Sequence, residues 1–120
     1  MNFEEKLRAL LERLENSLAC VLMGFDGIPL ASATRPGVNL DLELMGAEAS
    51  VIMNQLRQAA FTAQFGCSGE ACFRSEETTI LIRVLTQNYF LVLITRPEAY
   101  VGKGRFLARA IEPDLLRELE

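Results

Sequence analysis

Apolar residues recur at helical spacing near both ends of the chain. Residues 3–15 place leucines on one side and charged residues around the other, which predicts a one-sided amphipathic helix. Residues 101–119 carry a second apolar set at similar spacing and predict a closing helix. Within it, Pro113 removes a backbone donor and clashes with the preceding turn, so a kink or break is expected near Glu112. The packing of the last seven residues depends on that break.

Five shorter segments predict strands. The runs 18–25 and 28–33 are joined by Asp26-Gly27, a pair that favours a tight turn between two strands. Pro29 lacks a backbone N–H, so the second of these strands is expected at an edge of the sheet. An antiparallel meander of three further strands is expected at residues 70–75, 78–85 and 89–95. The first and last of the five strands are apolar on both faces, so helices should cover both faces of the sheet.

The segment 41–65 predicts the longest helix, and apolar residues lie on most of its circumference. Asp41 is expected as its N-cap and Gly66 as its C-terminal stop. The stripe expected to face the sheet consists of Leu42, Met45, Ala49, Ile52, Leu56, Ala59 and Ala63. Apolar residues such as Phe61 lie on other faces, and burying one Phe is worth about 1.5–3 kcal/mol. We therefore expect a second chain to cover part of this helix.

Composition narrows the classes of function. Half of the 120 residues are apolar, a high share for a chain whose length suits one domain over residues 1–120. No apolar run approaches the roughly 18 residues of a membrane span, and the N-terminus has no signal-peptide pattern, so a cytoplasmic protein is expected. The net charge is −4 and the basic residues are dispersed, which disfavours nucleic-acid binding.

The chain offers little for catalysis or for metal binding. Without histidine, the thiols of Cys20, Cys67 and Cys72 have no imidazole to activate them, and an odd number of cysteines disfavours a disulfide framework. The segment 102–105 has two glycines and two cations but lacks the frame of a nucleotide-binding loop. Neither a metal nor a cofactor is expected. These features favour a protein-binding module over an enzyme.

The order helix, two strands, long helix, three strands, helix resembles that of the Roadblock/dynein light-chain family. The resemblance is carried by the Asp-Gly hairpin within residues 24–32, the long small-residue-rich helix and the meander that follows it. It is also carried by Gly102-x-Gly104, which leads into an Arg-containing helix. Within the family, the chain is most similar to the bacterial gliding-motility protein B type.

The resemblance implies an α+β fold, a profilin-like three-layer α/β/α sandwich around a five-stranded antiparallel sheet in the order 2-1-5-4-3. It also implies a homodimer formed through the long helix and the third strand, and a Ras-like small GTPase as partner. Carried onto this chain, the dimer helix is 42–65 and the edge strand is 71–74. Because small residues let two helices approach closely, we assign the flank with Gly46, Met53 and Ala60 to helix–helix packing in the dimer. The expected dimer contact comprises Gly46, Ala49, Met53, Leu56, Ala60, Ala71, Cys72, Phe73 and Arg74. The candidate GTPase contact comprises Asn54, Arg57, Gln58, Phe61 and Phe65.

Two mechanisms and three functions stay open at this point. Arg57, the only cation on the outer face of the long helix, is a candidate arginine finger, a device worth about 10³–10⁵ in rate. We prefer the alternative, in which the adaptor orders the switch residues of the GTPase itself, because a finger usually lies on a mobile loop. A structural adaptor would tether a motor or signalling complex without altering nucleotide turnover. A small-molecule sensor would require a polar-lined cavity.

Overall fold

The computed structural model describes residues 2–64 and 69–119, and within them the elements follow the predicted order. Gly66, the expected stop of the long helix, lies outside the described residues. The helices are α1 (Phe3–Arg13), α2 (Leu42–Thr62) and α3 (Val101–Leu119). The strands are β1 (Ser17–Gly24), β2 (Pro29–Thr34), β3 (Glu70–Arg74), β4 (Thr79–Val84) and β5 (Tyr89–Thr95).

The five strands form one antiparallel sheet in the order β2-β1-β5-β4-β3, which confirms the expected topology. The strand β1, apolar on both faces, lies between β2 and β5 and is buried along its whole length. Pro29 lies on the edge strand β2, as predicted, and the pairing of β1 with β2 shifts register between Leu22 and Met23.

The turn between β1 and β2 contains Asp26-Gly27, as predicted, but it is longer than two residues, and only Gly27 of the pair has a positive φ. Gly27 adopts a φ of 87°, in the left-handed region that glycine reaches without a steric penalty. Its N–H donates to the carbonyl of Gly24 at 3.0 Å, and the N–H of Gly24 donates to the carbonyl of Ile28 at 3.0 Å. The Asp26 carboxylate accepts from the N–H of Ile28 at 3.0 Å, which fixes the turn from within.

Helices cover both faces of the sheet, as predicted. Under α1 and α3, leucines dominate the core, and the fully buried ones are Leu7, Leu10, Leu11, Leu14, Leu22, Leu91, Leu93, Leu107 and Leu115. Under α2, the second core contains Val21, Met23, Met53, Phe90, Val92 and Ile94. The result is three layers, with α2 as the one described helix on its face of the sheet.

Of the kink or break expected near Glu112, the break is wrong, because α3 continues through Pro113 to Leu119. Beyond the proline, Leu115 is fully buried against the leucine core and Leu119 packs on its rim. Just before it, a carboxylate oxygen of Glu112 lies 3.1 Å from Nε of Arg83 in β4. Contacts on both sides of the proline offset its local cost. None of the helices in the described part of the chain is long and apolar enough to cross a membrane.

Candidate protein-binding surfaces on the long helix

The side of α2 that faces the sheet differs from the predicted stripe. Asp41 is the N-cap, as predicted, and its carboxylate accepts from the N–H of Leu44 at 3.0 Å. The buried residues of α2 are Gly46, Ala49, Ser50 and Met53. Ile52 and Leu56, expected against the sheet, are 52% and 48% exposed. The helix is therefore rotated by about one residue relative to the prediction.

Small residues bring α2 close to β1, which explains the rotation. A Cβ added to Gly46 would lie 1.7 Å from Cε of Met23, so any larger residue would force this fully buried methionine to move. Met53 is 5% exposed and belongs to the core beneath α2. The predicted dimer contact is thus wrong at Gly46 and Met53, because the protein's own sheet already covers both. Their small-residue pattern serves a helix-on-sheet contact in place of a contact between two helices.

An apolar groove lies between α2 and the far side of the sheet. Because α2 packs mainly over β1, the neighbouring face of β3 and β4 stays open beside it. The groove has a volume of about 490 Å³ and is lined by Met45, Glu48, Ala49, Ile52, Leu56, Ala71, Cys72, Phe73, Ile80, Ile82 and Val92. Phe73 projects here from the edge strand and is exposed. Among the described residues that line it, Glu48 is the only charged one.

The apolar groove brings together part of the predicted dimer contact. Ala49, Leu56, Ala71, Cys72 and Phe73 line it. The remaining two predicted residues, Ala60 and Arg74, are half-buried and exposed, respectively, and do not line it. The sequence did not assign Met45 and Ile52 to this surface, because their spacing also fits a stripe facing the sheet.

A polar groove lies on the opposite flank of α2, toward its C-terminal half. It has a volume of about 520 Å³ and is lined by Asn54, Arg57, Gln58, Phe61, Gln87 and Asn88. Four residues of the predicted GTPase contact therefore lie together, with Phe61 74% exposed. Phe65, the fifth, lies outside the described residues. Gln87 and Asn88 come from the turn before β5.

Arg57 is fixed in place at the base of the polar groove. Its Nη1 donates to the carbonyl of Gln87 at 2.5 Å, and its Nη2 donates to the side-chain oxygen of Asn54 at 3.3 Å. The guanidinium carbon lies 3.8 Å from the ring centroid of Phe25, a cation–π arrangement. Arg57 thus connects α2 to both turns at this end of the sheet.

Asn54 reinforces the same connection. Its side-chain amide donates to the carbonyl of Phe25 at 2.9 Å and to the carbonyl of Ser50 at 2.9 Å. Phe25 in turn donates its backbone N–H to the carbonyl of Asn88 at 2.9 Å. The floor of the groove is therefore a bonded unit made of one helix and two turns, with Phe61 standing free above it.

The described thiols and carboxylates form no reactive cluster. Cys20 is fully buried, and burial raises the pKa of its thiol to about 12, so it stays protonated at neutral pH. Cys72 is exposed on β3, and Cys67 lies outside the described residues. In the ranges 2–64 and 69–119, no three cysteine or carboxylate side chains gather as metal ligands would.

Comparison of the sequence with protein-family models and with curated proteins finds no match. Among solved structures, MglC from Myxococcus xanthus is 34% identical, with 98% of this chain and 99% of that chain covered and a TM-score of 0.70. MglB from Myxococcus xanthus is 13% identical, with 99% and 98% covered and a TM-score of 0.85. A Roadblock/LC7 domain from Streptomyces avermitilis is 16% identical, with 97% and 99% covered and a TM-score of 0.79.

The similarity to these structures is consistent with the observed order of helices and strands and with the strand order of the sheet. The fold is similar to that of MglB, as the sequence predicted, while the higher sequence identity is to MglC. Identity of 34% over nearly the whole of both chains goes beyond a likeness of fold. The chain therefore belongs to the Roadblock/LC7 domain family.

Proposed function

We propose that this chain is a non-enzymatic, homodimeric adaptor that binds a Ras-like small GTPase. In this proposal it stimulates GTP hydrolysis by ordering the switch residues of the GTPase itself. The observation that carries the proposal is that α2 has two different surfaces, one on each flank. The apolar groove suits a second copy of the chain, and the polar groove suits a partner of another kind. The expected cytoplasmic location stays a prediction.

The apolar groove and the edge of β3 support the dimer. Among the described residues, one side of β3 has no strand partner, so its backbone groups can pair with another strand. Next to that edge, Ile52, Leu56 and Phe73 leave apolar surface in water. A twofold contact would pair the same edge from two copies and cover these side chains. The proposed dimer contact accordingly includes Met45 and Ile52, together with Leu56, Ala71 and Phe73.

The polar groove supports a separate site for the GTPase. Phe61 offers a large aromatic side chain, of the kind that often contributes most to binding at an interface. Around it, Gln58, Gln87 and Asn88 provide amide groups that can donate and accept hydrogen bonds. Because this groove and the apolar groove lie on opposite flanks of α2, one protomer could contact a second copy and a GTPase together.

The fixed position of Arg57 supports ordering over an arginine finger. A finger must reach the phosphates of a nucleotide bound to the partner. The guanidinium of Arg57 already contacts Gln87, Asn54 and the ring of Phe25. Inserting it elsewhere would break these contacts. The same observation favours the second candidate function, a scaffold that tethers a complex and leaves nucleotide turnover unchanged.

Single-turnover GTP hydrolysis separates the two candidates. Each Ras-like GTPase from the same organism is loaded with GTP, and its hydrolysis is timed with and without the protein, while light scattering reports on complex formation. Binding with faster hydrolysis is expected for one of them. Binding with an unchanged rate would leave only the scaffold, and binding to none would contradict a GTPase as partner.

A further inference from the structure

The outer face of α3 carries exposed aromatic residues between unpaired cations. Phe106 is 63% exposed, and Lys103 and Arg109 lie three residues before and after it, on the same side of the helix. Tyr100, 81% exposed, accepts the N–H of Gly104 on its carbonyl at 3.0 Å, which places it at the start of this face. Within the described part of the chain, neither Lys103 nor Arg109 makes a salt bridge.

The described carboxylates of α3 itself are already paired. Glu112 contacts Arg83 in β4, and Asp114 contacts Arg117 one turn later. The face is therefore positive, although the chain as a whole has a net charge of −4. A positive face with a large apolar side chain at its centre suits a partner surface that is both acidic and apolar.

The chain itself carries such a surface on the side of α2 that points away from the sheet. Leu44 and Val51 are exposed there, and exposed Glu48 lies between them. Asp41 and Glu43 add negative charge at the start of the helix, and no Lys or Arg occurs from Leu42 to Leu56. We define the acidic ridge as Leu44, Glu48 and Val51, with Glu43 beside them. It lies apart from Arg57 and the polar groove.

We infer that the outer face of α3 in one copy binds the acidic ridge of α2 in another copy. Neither surface suits its own kind, because two basic faces or two acidic ridges would repel each other. Because α2 and α3 lie on opposite faces of the sheet, one partner copy cannot bind both surfaces at once, and the contact is head-to-tail. A head-to-tail contact that does not close adds further copies in a row. It shares only Glu48 with the lining of the apolar groove and no residue with that of the polar groove. It requires neither the dimer nor the GTPase of the proposed function. Where the dimer also forms, the result is rows of dimers.

This contact is weak and salt-dependent, because its charges are exposed. Exposed ion pairs contribute little individually, and ions at about 0.15 M screen charges beyond about 8 Å. Association is therefore expected to grow with protein concentration at low salt and to weaken as salt is added. Because the partner is a second copy, the association is measured with the purified chain alone at high concentration.

Charge reversal with rescue tests the inference by sedimentation equilibrium. Lys103→Glu with Arg109→Glu should abolish the concentration-dependent rise in mass, and so should Glu43→Lys with Glu48→Lys. A mixture of these two double variants should regain the rise, because the acidic α3 face of the first meets the basic ridge of the second, and the basic α3 face of the second meets the acidic ridge of the first. The chain with all four changes should regain it as well. Arg13→Glu with Arg96→Glu, at exposed arginines outside α3, changes the net charge equally and should leave the rise intact.

Three results would overturn the inference. The wild-type mass could stay constant at all concentrations in low salt, the four-residue variant could fail to regain association, or the control pair could lose it. Leu56→Asp keeps this test separate from the proposed dimer, because that change removes only the apolar-groove contact. In the Leu56→Asp background, the molecular mass should still rise with protein concentration at low salt, whether or not the wild type is a dimer at low concentration.

Discussion

At the residue scale, the contacts of Arg57 bear most directly on how a partner could be bound. An arginine on the outside of a helix could be a free ligand for a partner, but this one contacts a carbonyl, an amide and an aromatic ring of its own chain. Those contacts hold α2 against the two turns that form the floor of the polar groove. Arg57 is therefore best understood as a positioning residue, which acts through the shape of the groove.

Replacing Arg57 by Ala should weaken GTPase binding and leave the stimulated rate at saturation within a few-fold of wild type. The groove floor would loosen, and the free energy of unfolding should fall by about 1 kcal/mol, since the contacts are partly exposed. Hydrolysis measured against adaptor concentration separates affinity from maximal rate. A loss of about 10³ in the saturated rate would instead identify Arg57 as a finger. Arg57→Lys, which keeps the charge, is the matched control.

The buried thiol of Cys20 should make the free energy of unfolding depend on pH in the alkaline range. Burial raises the pKa of its thiol from 9.0 to about 12, so below pH 9.0 the thiol is protonated in both the folded and the unfolded chain. Between these values only the unfolded chain loses the proton, so the free energy of unfolding should decrease with rising pH, by at most about 1.4 kcal/mol per pH unit.

Urea unfolding of wild type and Cys20→Ala from pH 8 upward measures this slope, with pH values chosen around the pKa window of 9.0 to about 12. The variant should lose less stability per pH unit, although it starts from a lower value because of the cavity. Cys72→Ala, at the exposed thiol, retains Cys20 and should follow the wild-type slope. Equal slopes for wild type and Cys20→Ala would contradict the assignment.

At the element scale, periodicity was sufficient to predict the order of helices and strands but not the rotation of α2. Apolar residues lie on most sides of this helix, so several stripes fit it equally well. Small residues such as Gly46 permit close approach to a sheet or to another helix, and only the position of Met23 decides between them. Likewise, Gln87 and Asn88 look like ordinary turn residues until the fold places them beside α2.

In α3, packing outweighs the local cost of a proline. Proline in a helix interior costs about 3 kcal/mol relative to alanine, yet α3 continues because Leu115 is buried beyond it and Glu112 is paired before it.

Pro113→Ala should therefore stabilise the protein, by about 1–3 kcal/mol, because it restores a backbone donor at an exposed position. Thermal unfolding would register this as a higher midpoint. An unchanged or lower midpoint would mean that the helix is already adapted to its proline. Ala110→Pro, on the same exposed side, is the opposite control and should destabilise.

At the scale of the whole molecule, the two flanks of α2 should be separable by mutation. Leu56→Asp places a charge in the apolar groove and should give a monomer with unchanged helix content, because Leu56 is half exposed in the single chain. Phe61→Asp, on the same helix, should leave the dimer intact and abolish GTPase binding. Light scattering and circular dichroism on dilute samples check both variants. A dimer that survives Leu56→Asp would contradict the apolar groove as the contact.

The two edges of the sheet are unequal, and this limits how far the sheet can grow. The edge strand β2 carries Pro29, and its pairing is irregular between Leu22 and Met23, so it is a poor template for an added strand. The edge strand β3 has no proline and pairs regularly with β4. Two copies that join edge to edge through β3 would leave only the β2 edges outermost. Strand addition would then stop at two copies, which protects the assembly from running on into a fibril.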